Sequence, residues 1–233
     1  MCSTLVEKKL KGKSLQLAEL KKTLKLTLMQ RKVLAGILLG DAHLSTQDNG
    51  KTYRLHVYQS AKHKAYVFHL YEIFKPWCLS PPVIIKRTYN SGLYKGKVST
   101  MISFKTISSG SFRFYAHIFT NKNTEKKLKL TKKVPKLIHR WLHPISLAYW
   151  YMDDGGIKDK KSKAVYFHTQ GFSLLEVQLL CDVLNTKFKL LAKAVKKNEK
   201  YQIYISSKSY IILKNLIYPY LIKEMLYKFP KQP

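Results

Sequence analysis

Two aspartates, Asp41 and Asp154, lie near the ends of short apolar stretches that share one plan. The stretches are Leu34–Ala42 and Leu147–Gly155; both begin with Leu-Ala, and both have the aspartate as their eighth residue. If the stretches pack side by side, the two carboxylates meet and repel each other. A divalent cation relieves this repulsion, because hard cations take oxygen ligands. The pattern therefore predicts a metal site built on paired carboxylates.

Such a site suits phosphodiester hydrolysis. That reaction needs an activated water, stabilisation of the charge in the transition state and a stabilised leaving oxygen. Two carboxylates that hold divalent ions supply all three by clamping the attacking and leaving oxygens. Mg²⁺ is the natural ion, since it binds one or two carboxylates together with substrate phosphates.

The elements that position these aspartates are predicted to be two buried helices. Each apolar run is too short to span a bilayer, so a buried helix is favoured. In the first run Gly36 and Gly40 share one helix face. Glycine inside a helix costs about 0.5–1 kcal/mol relative to alanine, so the pair indicates a groove for close packing of a second helix. The paired helices would bring Asp41 and Asp154 together at their C-terminal ends.

Composition indicates a polyanionic partner. The chain has 233 residues and a net charge of +30, with 43 Lys and Arg against 13 Asp and Glu spread along its length. Nucleic acid is the first candidate partner. An anionic membrane surface is the second candidate, but the sequence has neither a long amphipathic basic helix nor a lipidation motif, so no membrane partner is expected. Cys2, Cys78 and Cys181 are too scattered for a disulfide framework or a zinc site, which favours a reducing compartment.

The rest of the chain predicts the same order of elements twice. The predicted first half has helices over residues 29–41, 61–77 and 112–119 and strands over 44–58, 83–89 and 98–106, with a turn at 47–50. The predicted second half has helices over 146–154, 173–188 and 210–227, with a break at Pro219, and strands over 165–169, 190–196 and 201–206. Ser146 and Ser173 are the predicted N-caps, the latter in a capping box with Glu176.

These patterns predict an α+β fold of two pseudo-symmetric αββαββα-type halves, with the motif helices paired at the centre and antiparallel β-sheets outside them. The predicted division is an N-terminal basic extension (1–28), a first half with a lysine-rich connector (29–140) and a second half (141–233). Lysines on the extension indicate either a solvated helix or an arm on phosphates.

The two motif copies resemble those of LAGLIDADG homing endonucleases in their single-chain form. Two further stretches, 80–82 (Ser-Pro-Pro) and 219–222 (Pro-Tyr-Leu-Ile), resemble the branch that contains the yeast mitochondrial omega-intron endonuclease. The copies depart from the family pattern at Gly40 and Ala42 in the first and at Tyr149 in the second. The resemblance implies metal binding by Asp41 and Asp154, with the backbone of Ala42 and Gly155 nearby.

For the metal, the resemblance implies Mg²⁺, with Mn²⁺ as a substitute and Ca²⁺ bound without cleavage. Asp153 is the runner-up ligand, and its alternative is a capping or surface role. The family also has a basic residue in each half near the scissile phosphates. The repeated Lys-x-Pro indicates Lys133 and Lys228 for this role, with Lys132 as an alternative.

Residues near the ends of the first strands, Gln59 and His168, are predicted to order water near the metals. The exposed strand faces are predicted to form a saddle that binds DNA, since a β-sheet or ribbon enters the major groove. The predicted DNA-binding residues are Lys86, Arg87, Tyr89, Lys95, Lys97, Lys105, Lys193, Lys196, Lys200, Gln202 and Tyr204.

The predicted function is a site-specific double-strand DNA endonuclease encoded by a mobile intron, which hydrolyses a long target site to staggered ends. The alternative is an RNA-binding splicing maturase on the same scaffold, with intron RNA as its partner. Loss of the aspartates would favour the maturase, so the presence of both favours the endonuclease. One chain supplies both motifs, which predicts a monomer. The bias towards Lys, Ile, Leu and Tyr suggests synthesis in an organelle, either a chloroplast or a mitochondrion.

Overall fold

The structure, a computed structural model, describes residues 15–88, 90–92, 95–123, 129–159 and 161–230. Helix α1 covers residues 15–23. The first half then contains α2 (Leu28–Leu39), β1 (His43–Ser45), β2 (Arg54–Ser60), α3 (Lys64–Phe74), β3 (Val83–Thr88), β4 (Val98–Lys105) and α4 (Arg113–Phe119). An antiparallel pair, β5 (Thr120–Asn123) and β6 (Lys129–Lys132), lies within the predicted connector.

The second half repeats this plan. It contains α5 (Pro144–Asp154), β7 (Gly155–Ile157), β8 (Val165–Phe167), α6 (Leu174–Phe188), β9 (Ala192–Lys197), β10 (Lys200–Ile205), α7 (Tyr210–Ile217) and 3₁₀ turns at Tyr218–Tyr220 and Lys223–Lys228. Helix α7 ends before Pro219, which confirms the predicted break.

Each half has a four-stranded antiparallel sheet, in the order β1-β2-β4-β3 in the first and β7-β8-β10-β9 in the second. Helix α3 packs on β2 and β4, and α6 packs on β9 and β10. The same topology therefore occurs twice, and the predicted α+β fold is confirmed.

The motif helices α2 and α5 pack against each other at the centre of the hydrophobic core. A Cβ added at Gly36 would overlap Ser146 O and lie 3.1 Å from the Cβ of Tyr149. A Cβ added at Gly40 would overlap the side chain of Asp153. Glycines on α2 therefore face larger residues at the same motif positions of α5, which explains how the interface accommodates Tyr149.

Two of the helix starts show how local signals compete. Ser173 and Glu176 form the predicted capping box, and α6 begins at the next residue. The prediction that Ser146 is an N-cap was wrong: α5 begins at Pro144, and the Ser146 hydroxyl donates to Trp141 O at 3.1 Å. Proline at the first helical position has a helical φ and no N–H to satisfy, so it starts the helix earlier.

Candidate active site

The pairing of α2 with α5 brings three carboxylates to one place. Helix α2 ends at Leu39, and Asp41 follows its C-cap residue Gly40. Asp154 is the last residue of α5, and Asp153 precedes it. The backbone N–H of Asp41 donates to Asp153 Oδ2 at 3.1 Å, which joins the two motif copies directly. The cluster therefore lies at the C-terminal ends of both helices, where negative charge is disfavoured.

For Asp153 and Asp154, the surroundings disfavour the charged form. Burial, followed by the charge of Asp41, raises the pKa of Asp154 to about 7, although Lys132 and Lys228 oppose this shift. Burial, followed by Asp41 and Asp154, also raises the pKa of Asp153 well above its usual range. The folded chain thus holds negative charge that its own residues compensate only in part.

The donor set fits a divalent cation with oxygen ligands. Asp41 and Asp154 supply hard carboxylate oxygens at the C-terminal ends of the two motif helices. Within the described residues, no group of three or more His, Cys, Asp or Glu side chains is arranged to hold a metal ion by itself. Mg²⁺ does not need one, since it retains waters and takes substrate phosphates as ligands.

Each half also contributes one half-buried lysine to the cluster. Lys132 Nζ donates to Gly40 O, and Lys228 Nζ donates to Met152 O and Asp153 O at 2.6 Å each. Both ammonium groups satisfy carbonyls at the ends of the motif helices, where cations are favoured. Burial lowers the pKa of both lysines, although the three aspartates oppose this shift. The structure therefore brings Lys132, rather than Lys133, to the position that matches Lys228.

Lys133 is directed elsewhere. Its backbone N–H donates to Phe119 O at 2.9 Å, and the residue lines a separate cavity with Tyr53 and His117. Lys132 and Lys133 are neighbours at the end of β6, and neighbouring residues of a strand face opposite sides. The Lys-x-Pro pattern thus locates the segment that reaches the cluster, and the contact is made by the alternative candidate, Lys132.

Gln59 lies against two of the carboxylates. Its amide Nε2 donates to Asp41 Oδ2 at 2.8 Å and to Asp153 Oδ1 at 3.3 Å. Its Oε1 therefore accepts, from His63 Nδ1 at 3.1 Å, and the hydroxyl of Tyr227 lies 3.1 Å from His63 Nε2. A neutral His63 then carries its proton on Nδ1. Sequence reasoning missed His63 and Tyr227, which come from different halves and have no motif.

His168 is not the counterpart of Gln59. His43 and Gly156 each lie two residues after a motif aspartate, so they are equivalent positions. In the sheets His43 pairs with His56, and Gly156 pairs with Tyr166. Three residues beyond each partner are Gln59 and Thr169. Thr169 is buried and donates to Tyr201 O at 3.1 Å, whereas His168 is exposed and its backbone N–H donates to Asp154 O at 2.9 Å.

Ala42 and Gly155 directly follow the two motif aspartates, so their backbones lie beside the cluster. The N–H of Ala42 donates to Ile37 O at 3.0 Å, and the N–H of Gly155 donates to Tyr151 O. The hydroxyl of Tyr151 donates to Lys228 O at 2.6 Å, which fixes the lysine from the same motif helix.

The strand registers divide the predicted DNA-binding residues between two faces of the sheets. The open face, opposite α3 and α6, carries Arg87, Lys105, Lys193, Lys200, Gln202 and Tyr204, while Lys95 and Lys97 lie in the β3–β4 connection. Gln202 is buried at 5% exposure. Tyr89 lies outside the described residues.

Two lysines lie on the other face. Lys86 pairs with Thr100 on the side of the sheet that carries Ile102, and Lys196 pairs with Tyr201 on the side that carries Ile203. Lys196 also forms an ion pair with Glu199 at 3.5 Å. Side chains alternate along a strand, so adjacent Lys86 and Arg87 cannot share a face. The prediction that both bind the same DNA surface conflicts with this register.

No helix in the described part of the chain is long and apolar enough to cross a membrane.

Comparisons with known proteins agree with this geometry. The family model for the LAGLIDADG DNA endonuclease family matches residues 31–213. The chain is 35% identical over 207 residues to the probable intron-encoded endonuclease 1 of Wickerhamomyces canadensis, covering 87% of this chain and 84% of that protein. It is 30% identical over 201 residues to the cytochrome b mRNA maturase bI2 of Saccharomyces cerevisiae, covering 84% of this chain and 46% of the maturase. The solved structure of the homing endonuclease I-WcaI bound to its DNA recognition sequence matches with a TM-score of 0.83, 30% identity and 93% coverage of both chains.

Proposed function

The chain belongs to the LAGLIDADG DNA endonuclease family, and we propose that it is a monomeric, site-specific homing endonuclease that cuts both strands of a long DNA target. The single observation that carries this proposal is the convergence of Asp41 and Asp154 at the ends of the paired motif helices. A similar solved endonuclease binds DNA. The open sheet faces and the net charge of +30 support a duplex DNA partner here.

In this proposal Asp41 and Asp154 hold divalent cations, with the backbones of Ala42 and Gly155 beside them. Bound Mg²⁺ would supply Lewis-acid stabilisation of phosphate charge and lower the pKa of a bound water. Mn²⁺ would substitute, and Ca²⁺ would bind without supporting cleavage. Gln59 orients the Asp41 carboxylate through its amide, and His168 orders water at the edge of the second site.

Lys132 and Lys228 bring positive charge to the site independently of the cation. Each ammonium is anchored to carbonyls of a motif helix, so it is already in position before substrate arrives. An oriented cation stabilises charge that develops on the phosphate without costly reorganisation. We propose these two lysines as the pair beside the scissile phosphates, one in each half.

The direct test uses a plasmid that carries the uninterrupted host-gene junction, incubated with Mg²⁺, with Ca²⁺ or with EDTA. In Mg²⁺ we expect linear plasmid whose two strands are cut at staggered positions, as mapped with 5′-end labels. In Ca²⁺ we expect plasmid that is bound but intact. Intact plasmid in Mg²⁺, with protein bound to the junction, would contradict an endonuclease. Sedimentation of the free protein as an obligate dimer would contradict the monomer.

A splicing maturase is the second candidate, favoured by the similarity to the yeast maturase. Splicing would need an RNA surface and not the paired carboxylates. Asp154→Asn would therefore leave splicing of the host intron unchanged in a maturase, while it would remove cleavage in an endonuclease. An organelle is the proposed place of synthesis.

A further inference from the structure

The carboxylate of Asp153 links the two motif helices at their C-terminal ends. Its Oδ2 accepts the backbone N–H of Asp41 at 3.1 Å, and its Oδ1 accepts the amide of Gln59 at 3.3 Å. Gln59 also donates to Asp41 Oδ2 at 2.8 Å. Asp153 therefore holds Asp41 directly by its backbone and indirectly, through Gln59, by its carboxylate.

Only the second half supplies a side chain for this contact between the motif helices. The seventh residue of the first motif copy is Gly40, which has no side chain to return the contact to Asp154. A Cβ at Gly40 would overlap Cβ, Cγ and Oδ2 of Asp153. The space that Gly40 leaves on α2 is thus filled by the carboxylate from α5, and the second half supports the first without an equivalent contact in return.

The surroundings of Asp153 differ from those expected of a metal ligand. Both of its oxygens already accept hydrogen bonds from protein donors, and only 8% of the residue is exposed. A carboxylate that ligates Mg²⁺ must share its oxygens with an ion that retains waters. Asp153 instead satisfies a backbone N–H just beyond the end of α2.

We propose that Asp153 is a positioning residue for Asp41, the proposed metal ligand of the other half, and not a third ligand. The proposal rests on the proposed function, because only a metal-dependent endonuclease makes the geometry of Asp41 limiting. Its consequence is that Asp153, although next to Asp154 in sequence, acts on the other motif aspartate.

Two substitutions separate positioning from metal binding. Asp153→Asn keeps an oxygen that accepts the Asp41 N–H, whereas Asp153→Ala removes it. Removal of the acceptor leaves the Asp41 N–H without its protein partner, so we expect Asp153→Ala to cleave about 10- to 100-fold more slowly in saturating Mg²⁺. Asp153→Asn should recover most of this loss. Equal losses in both variants would indicate a ligand and overturn the proposal.

A second measurement does not depend on cleavage. In ¹⁵N-labelled, metal-free protein, the Asp41 amide should exchange with solvent about tenfold faster in Asp153→Ala than in wild type, and remain slow in Asp153→Asn. Asp159→Asn is the matched control, because Asp159 is an exposed aspartate that forms an ion pair with Lys158 at 4.0 Å. An Asp41 amide that exchanges equally in wild type and Asp153→Ala would overturn the proposal.

The design separates this proposal from the proposed function. If wild-type protein fails to cut the junction plasmid, the endonuclease assignment fails, but the amide exchange still tests the link from Asp153 to Asp41. If Asp153→Ala does not fold, Asp153→Leu provides a branched side chain of similar shape without an acceptor. The same exchange difference is expected for Asp153→Leu, and its absence would overturn the link.

Discussion

At the scale of single residues, the candidate active site concentrates charge that the fold does not balance. Only 13 residues of the chain are acidic, yet three of them meet at the ends of α2 and α5. Burial and mutual repulsion raise the pKa values of Asp153 and Asp154, which means that ionisation destabilises the metal-free fold. A cation that binds these carboxylates in the folded state would therefore stabilise the fold.

Asp154→Asn should stabilise the metal-free protein at neutral and higher pH. The pKa of Asp154 is about 7 in the folded state and about 3.9 in an unfolded chain. The folded state therefore retains a proton that the unfolded state releases, so the free energy of unfolding falls as pH rises from about 4 through 7. The variant avoids this loss. We expect its Tm in EDTA to exceed that of wild type by at least about 2 °C at pH 8.

Thermal unfolding at several pH values checks this sign. The difference between the variant and wild type should shrink towards pH 4, where both carry a neutral side chain at residue 154. Ca²⁺ should raise the Tm of wild type more than that of the variant. A variant less stable than wild type at pH 8 would mean that Asp154 serves the fold.

Lys132→Ala should impair cleavage far more than Lys133→Ala. Lys132 Nζ donates to Gly40 O beside the carboxylates, whereas Lys133 lines a separate cavity. Loss of an oriented donor at a developing charge typically costs about 10²–10³ in rate. Single-turnover cleavage in Mg²⁺ compares the two variants, which remove the same charge from adjacent residues. Similar losses in both would indicate a general effect of charge.

At the scale of elements, the sequence predicts what local chemistry controls. The glycine pair of α2, the capping box of Ser173 and the turn after Ser45 each follow from residue types at short spacing, and the structure contains all three features. The prediction that Ser146 is an N-cap was wrong because Pro144 starts the helix two residues earlier. Lys86 and Lys196 lie on the other face from the remaining candidates, because pairing with distant residues sets the strand register and so decides which side chains share a face.

Gly36→Ala should destabilise the protein although alanine favours helices. The added Cβ would overlap Ser146 O on α5, a backbone atom that cannot move without separating the helices. Overpacking of this kind costs about 1–3 kcal/mol. Gly171→Ala is the matched control, since a Cβ there has no neighbour within 4 Å. Urea unfolding of the two variants tests the difference; an equal free energy of unfolding would show that α2 and α5 pack less tightly.

At the scale of the whole molecule, a symmetric fold contains two unequal centres. Both halves have the same element order and sheet topology. Yet Gln59 lies where the second half has Thr169, and Gly40 lies where it has Asp153. The repeated motif predicts the symmetry, but the contacts that distinguish the halves come from residues far apart in sequence. They are visible only when the chain is folded.

DNA binding should depend steeply on salt. Each phosphate that the protein neutralises on duplex DNA contributes about −0.9 to the slope of log affinity against log salt concentration. The open sheet faces alone present several lysines and arginines, so we expect a slope of about −5 or steeper. Fluorescence anisotropy with a labelled duplex in Ca²⁺ measures it. A flat response would exclude a phosphate-dominated DNA interface.

The central claim is that Asp41 and Asp154 hold the metal for cleavage and do not hold the fold or the DNA. Asn at either residue keeps the shape, removes one negative charge and leaves the glycine contacts of α2 unchanged. The most direct measurement is cleavage of the junction plasmid in Mg²⁺ beside duplex binding in Ca²⁺, for wild type, Asp41→Asn and Asp154→Asn. We predict that each variant loses double-strand cleavage and binds DNA as tightly as wild type or slightly more tightly. Linearisation by either variant at close to the wild-type rate, or loss of binding together with a lower Tm in both, would contradict the account.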